Sequence, residues 1–441
     1  MPEELARRLG TTDAVVVGLS AMIGAGVFAA FAPAAGAAGA WLLVALAIAA
    51  VVAYCNATSS ARLAALYPES GGTYVYGRRR LGPLWGYLAG WGFTVGKTAS
   101  CAAMALTFGA YVAPGLARPL AIGAVAALTL LNLYGVQRSA GVARVIVAFV
   151  LAVLVMVIVA GLTGDTTVTF GWFAGAPAPA PLLYAPFTGD GVDAWGVLQG
   201  AGLLFFAFAG YARIATLGEE VRDPARTIPR AVGIALGITL VVYTLVAVVA
   251  LHVLGPVMLA LSPAPLAEVV REAEVEWLVP VVGAGAAVAA LGALLALLLG
   301  VSRTMLAMAR ERDLPAALAA VDPVRQVPRR AELAVGIAVI VLLLVADLRG
   351  AIGFSSFGVL VYYAIANACA LTLSRAEGAP PRLVPVLGLV LCLLLAATLP
   401  LGSVLAGLAV FAVGLVIWVV RRRGHDARPD GSSGDAPPPS L

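Results

Sequence analysis

Apolar runs recur from one end of this chain to the other, and they limit what it can fold into more than any other feature does. Stretches such as AWLLVALAIAAVVAYC (40–55) and LAVLVMVIVAGL (151–162) carry no charge. With their flanks they reach the roughly 20 apolar residues that a helix needs to cross a hydrocarbon core. Lipid offers no hydrogen bonds, so each such run has to satisfy its own backbone, and the α-helix does so within one segment. Only 12% of the residues are charged, against about 25% in soluble domains. The fold class expected is an all-α polytopic membrane protein embedded in a lipid bilayer. The breaks between runs predict twelve spans, at about 13–36, 40–66, 83–113, 119–136, 142–163, 194–217, 231–255, 278–309, 333–348, 351–373, 384–400 and 404–420.

Charge gives a second reading of the same topology. With twelve spans, 24 of the 28 basic residues fall on one side or just inside a span's end on it. Arg118, Arg271 and Arg349 face the other way, and Lys97 faces neither. The rich side reads as cytoplasmic, so both termini are expected in the cytoplasm and the protein in the cell (inner) membrane. Shifting the count by one span would destroy the segregation.

Several function classes drop out. Cys55, Cys101, Cys369 and Cys392 all lie inside apolar runs with no Cys-x-x-Cys spacing, and His252 and His425 stand far apart, so neither a disulfide framework nor a metal cluster is expected. Nothing in the chain calls for a cofactor. A membrane-embedded enzyme would need clustered acids, histidines or a Ser–Lys pair at span depth, and no carboxylate is expected near the midplane. The basic tail around RRRGHDAR reads as an orientation signal rather than a nucleic-acid site, and the residues after it read as disordered.

Two spans are interrupted by glycine. GLSAMIGAGVF (18–28) lies in the first and FFAFAGYARIATLGEE (205–220) in the sixth. These are equivalent places if the chain is two five-span repeats plus two further spans. Five is odd, so the repeats would be inverted relative to each other. Paired breaks at matching places point to a transporter's midplane site, whereas a channel or receptor requires no such pairing. The organisation expected is a core over 1–375 (repeats at about 10–163 and 194–375), two accessory helices over 384–420 and a disordered tail over 421–441.

A broken helix exposes amide N–H groups at the start of its second half, where the dipole favours a carboxylate. It exposes carbonyls at the end of its first half, which accept from an ammonium. An α-amino acid matches both. The carboxylate is therefore assigned to the N–H groups of Gly24, Ala25 and Gly26, and the ammonium to carbonyls around Met22, Ile23, Phe206 and Ala209. Ala207 and Gly210 complete the second segment. Phe206 is the expected aromatic lid, with Phe208 as the alternative.

With these motifs assembled, the chain resembles the amino acid–polyamine–organocation family of permeases. The resemblance rests on GLSAMIGAGVF, on FFAFAGY followed by GEEVRDPARTIPRA, on VSRTMLAMARERDLP (301–315) and on FSSFGVLVYYAIANACAL (354–371). It covers about residues 10–375. It implies the five-plus-five inverted-repeat fold with helices 1 and 6 unwound, secondary transport of amino acids by alternating access and, often, proton coupling; an exchanger or a sodium symporter shares the same fold. Some family members carry a lysine in the fifth span, at a place that falls near Val150 here. The fifth span of this chain, VARVIVAFVLAVLVMVIVAGL (142–162), has no lysine.

Lys97 is the chain's single lysine, and it lies in the middle of the third span. It is about 14 residues, or roughly 21 Å of helix, from either end. Its stem cannot reach the interface from there, so the amine has to face protein or a cavity. An amine can hand on a proton and a guanidinium cannot. Lys97 is therefore the candidate for proton coupling, with a fixed structural cation and a direct substrate contact as the alternatives. Arg213, Glu219 and Glu220, at the inner end of the sixth span, are candidates for an inner gate. The basic partners expected for the two glutamates are Arg222, Arg226, Arg230 or the Arg78–Arg80 cluster. With a cation and no carboxylate at midspan, neutral L-amino acids are expected as substrates first, anionic ones second and cationic ones last.

Overall fold

The computed structural model describes residues 10–68, 71–135, 140–164, 192–215, 221–322, 325 and 327–426, and their secondary structure is helical. The helices are α1 (Thr11–Met22), α2 (Ala25–Ala29), α3 (Phe31–Ala38), α4 (Leu42–Leu66), α5 (Thr73–Arg80), α6 (Pro83–Val112), α7 (Ala117–Leu133), α8 (Ala140–Thr163) and α9 (Ala194–Phe208). They continue with α10 (Ala212–Ala215), α11 (Pro224–Leu261), α12 (Pro265–Glu272), α13 (Val279–Arg310), α14 (Arg329–Val345), α15 (Leu348–Leu371), α16 (Leu383–Thr398) and α17 (Leu401–Asp426). Among the described residues, nine helical stretches are long and apolar enough to cross a membrane. The more polar α6 and the shorter α14 and α16 fall outside that group. The chain is a multi-pass membrane protein.

Local chemistry sets the helix ends. Asp193 accepts the Gly196 N–H at 2.8 Å and Asp347 accepts the Gly350 N–H at 3.0 Å, so α9 and α15 start on side-chain caps. Proline opens α6, α11, α12 and α13, where its missing N–H costs no helical bond. Within α11, Gly255 takes φ 66° ahead of Pro256 and kinks the helix, because proline disfavours the α region in the residue before it and glycine accepts positive φ.

Helices α6 and α15 pack backbone against backbone. A Cβ on Gly358 would lie 2.8 Å from the Gly92 carbonyl oxygen, and one on Gly96 would lie 3.1 Å from that of Ser355. Small residues let the backbones meet where lipid supplies no hydrophobic drive between helices. Val145, Val241, Val345 and Leu401 are exposed on the outside of the bundle, as a lipid-facing surface requires.

At the Arg-rich end, Arg78 bonds Glu311 at 3.1 Å and Asp313 at 2.8 Å, and the Tyr74 hydroxyl donates to Asp313 at 2.7 Å. Burial pushes the Asp313 carboxyl above the usual carboxylate range despite these partners. Arg80 pairs with Glu377 and holds that carboxyl down at about 2. Two members of the Arg78–Arg80 cluster are thus engaged by acids other than Glu219 and Glu220, which lie outside the described residues. The final helix runs on to Asp426, past the point at about 420 where the sequence analysis ended the last span and began a disordered tail. Residues 427–441 lie outside the described residues.

Candidate substrate site at two helix breaks

The first break is open backbone. α1 ends at Met22, Ile23 takes φ −81° and ψ 52°, and Gly24 takes φ −102° and ψ −142° before α2 begins. Ala30 returns to the α region, so α2 leads directly into α3. The second interruption differs from the expected one. Phe206, Ala207 and Phe208 remain α-helical, and the chain then tightens into a 3-10 turn over Ala209–Tyr211 before α10. The departure therefore starts at Ala209 rather than Phe206, and it narrows the helix instead of opening it. Phe206 and Ala207 keep their places in an α-helix that ends only after Phe208.

The two interruptions touch. A Cβ on Gly26 would lie 2.7 Å from the Ala207 Cα, and one on Gly210 would lie 2.4 Å from the Ala21 carbonyl. Behind the first break α13 comes as close, with the Ala293 Cβ 2.9 Å from a Cβ built on Gly24. Glycine at these positions makes room for a facing chain.

Two polar side chains join the breaks. The Tyr243 hydroxyl, on α11, lies 2.6 Å from the Met22 carbonyl oxygen and 3.1 Å from that of Ala207, so one hydroxyl proton spans both segments. Lys97 is 7% exposed, and its Nζ donates to the Ala209 carbonyl at 3.4 Å, where α9 gives way to the 3-10 turn. Phe208 is fully buried with its ring 5.1 Å from that of Tyr243, whereas Phe206 keeps 8% exposure. Farther along the first segment, the Tyr111 hydroxyl donates to the Phe28 carbonyl at 3.0 Å and accepts the Leu266 N–H at 3.1 Å, tying α2 to α12.

The remaining candidates are more scattered. Arg213 is half-buried on α10. Val150, at the place of the family's fifth-span lysine, is fully buried on α8. A 530 Å³ groove lined by Ala99, Arg349, Phe354, Pro400 and Val410, among others, contains none of the candidate site residues. Ala99 is two residues from Lys97 and so points to nearly the opposite side of α6.

A family model for amino acid permeases matches residues 9–424. The chain belongs to the amino acid permease family. The permease is 65% identical over 424 residues to an uncharacterized transporter of Mycobacterium tuberculosis, covering 96% of this chain and 93% of that protein. It is 31% identical over 390 residues to a cationic amino acid transporter of Arabidopsis thaliana described as chloroplastic, covering 83% of this chain and 65% of that one. It is 25% identical over 456 residues to the branched-chain amino acid permease BcaP of Bacillus subtilis, covering 96% and 94%. The permease is thus an amino acid transporter and not an enzyme.

Two buried polar groups escaped the sequence analysis. Tyr243 is the one hydroxyphenyl group in ITLVVYTLVAVVAL, and a buried tyrosine hydroxyl usually finds a partner, so a signal existed. Glu332 is a buried carboxylate in the first turn of α14, away from the midspan positions the sequence analysis considered. It is fully buried, bonded by Ser302 on α13 at 2.6 Å and by Asn132 on α7 at 3.4 Å. Its position in VPRRAEL reads as a charged loop, which hid it.

Proposed function

We propose that this permease is a twelve-span, five-plus-five inverted-repeat transporter that takes up neutral L-amino acids with protons by alternating access. It lies in the inner membrane with both termini in the cytoplasm. The twelve spans are the nine long apolar stretches together with α6, α14 and α16. The core runs over 1–375, with repeats over about 10–163 and 194–375, and the accessory helices fill 384–420. One observation carries the reading: two interrupted helices touch, and the chain's only lysine donates to the carbonyl at the second interruption.

In this reading the substrate carboxylate meets the N–H groups of Gly24, Ala25 and Gly26. The ammonium meets carbonyls around Met22, Ile23, Phe206 and Ala209, with Ala207, Phe208 and Gly210 shaping the second segment. Phe206 is favoured over Phe208 as the lid, because the Phe208 ring is already packed against Tyr243. Arg213, Glu219 and Glu220 form the inner gate. Uptake into proteoliposomes with and without an inward proton gradient tests the coupling; accumulation that ignores the gradient would refute it.

Tyr243 holds the two breaks in register. Its replacement by phenylalanine leaves two buried carbonyls without their donor, at a cost of about 1–3 kcal/mol. Tyr243→Phe should reach the membrane normally and raise the KM for uptake about tenfold. An unchanged KM would remove Tyr243 from the site.

The substrate order follows from charge. Lys97 is the cation beside the second break, and a basic substrate side chain would need a carboxylate partner to be buried there. A cationic substrate is the second reading, favoured by the names of the plant relatives. Competition against labelled alanine or leucine separates the two. Neutral amino acids should compete best, anionic ones less and arginine or putrescine least; the reverse order would establish the cationic reading.

A further inference from the structure

Away from the two breaks, α7, α13 and α14 enclose a small polar cluster around Glu332. Its carboxyl is 0% exposed. The Ser302 Oγ lies 2.6 Å from Glu332 Oε1 and 3.0 Å from the Leu299 carbonyl oxygen. The Asn132 Nδ2 lies 3.4 Å from Glu332 Oε2, while the Asn132 Oδ1 is buried without a partner. Thr129 Oγ1, one turn back on α7, is itself unpartnered and makes no bond to the cluster.

Counting donors against acceptors exposes a deficit. An ionised Glu332 contributes two acceptor oxygens, each with two lone pairs, and Asn132 Oδ1 adds a third buried acceptor. Against these stand the single hydroxyl proton of Ser302, which the Leu299 carbonyl also draws on, and the two amide protons of Asn132, which cannot reach its own Oδ1. Sharing the serine proton between Leu299 and Glu332 weakens both bonds, and Asn132 Oδ1 stays empty in any case. One proton on Glu332 repairs this. A protonated Oε1 donates to Ser302 Oγ, which frees the serine proton for Leu299. A protonated Oε2 donates to Asn132 Oδ1 once the amide is turned over.

The titratable and charged groups facing this carboxyl are Arg303 on α13 and the Cys101 thiol on α6. Arg303 is exposed and no ion pair to Glu332 is formed among the described residues. An isolated ionised carboxylate is costly in such a place and normally neutralises instead. We propose that Glu332 is a proton-binding site of this permease, occupied in the conformation described here, with Ser302 and Asn132 as the groups that read its protonation state. Cys101 lies one turn beyond Lys97, so this proton is held beside the same stretch of α6 but on separate partners. The site is independent of where the substrate binds.

Infrared spectroscopy of the reconstituted full-length protein tests this without relying on transport. The wild type should show the C=O stretch of a protonated carboxylic acid above the amide I envelope, sensitive to H/D exchange. Glu332→Gln keeps the shape and supplies a permanent N–H donor to Ser302, so it should fold and lose that band in the difference spectrum. Ser302→Ala removes the hydrogen-bond partner and should shift the band to higher frequency without abolishing it. A band unchanged in Glu332→Gln, or absent from the wild type, overturns the proposal. So does a band that Ser302→Ala leaves in place.

Discussion

Valine at Gly26 or Gly210 should abolish amino acid uptake while the protein still inserts and remains monodisperse. The expected loss is complete because the obstacle at both positions is backbone. Even a bare Cβ on Gly210 would lie 2.4 Å from the Ala21 carbonyl carbon and oxygen and 2.6 Å from the Met22 nitrogen. One on Gly26 would lie 2.7 Å from the Ala207 Cα. Overpacking in a protein interior costs about 1–3 kcal/mol when side chains can shift, and here a helix segment would have to move. The two interruptions would be forced apart, and the Tyr243 hydroxyl could no longer span both. Gly237 on α11 is the control: a Cβ there meets nothing within 4 Å, so Gly237→Val should transport normally. The measurement is initial uptake per reconstituted protein. Wild-type rates in both Gly26→Val and Gly210→Val would sink the assignment of the site to these breaks.

The sequence pointed to the same two glycines for a different reason. It treated them as places where backbone opens to a ligand, and that describes Ile23 and Gly24. Gly26 instead sits inside α2 in helical geometry, and its importance comes from the neighbouring chain. Close approach between segments nearly 200 residues apart leaves no local trace beyond a small residue, so its cause could not be read in advance. The nine long apolar stretches were legible because lipid imposes one period and one minimum length on them. The shape of the second interruption was not: glycine at 210 permits a break, but whether the chain opens or tightens depends on what faces it. Glu332 was hidden for a related reason. Arg329 and Arg330 beside it are exposed, as a charged loop predicts, and only the packing of α7 and α13 turns the third charged residue inward.

Lys97 offers the clearest test of mechanism. It lies in the middle of the 30-residue α6, too deep for its stem to reach either interface. The amine ends against Ala209, at the residue where α9 stops being an α-helix. At 3.4 Å the contact is long, but a charged ammonium draws on the carbonyl more than a neutral amine would, since a hydrogen bond from an ionised donor is about twice as strong as a neutral one. In the proposed coupling, loss of the proton weakens that hold and so ties the protonation state of Lys97 to the geometry of the second break. Arginine would keep its charge at every working pH and needs room for a planar fork. Lys97→Ala should therefore lose accumulation driven by a pH gradient while retaining exchange of substrate across the membrane. Lys97→Arg should show neither accumulation nor exchange, because its charge cannot be released and the break cannot relax. The two variants need only be compared in counterflow and in gradient-driven uptake on the same vesicles. Gradient-driven accumulation by Lys97→Arg would reduce Lys97 to a fixed cation that braces the 3-10 turn, and the proton would have to be carried elsewhere in the bundle.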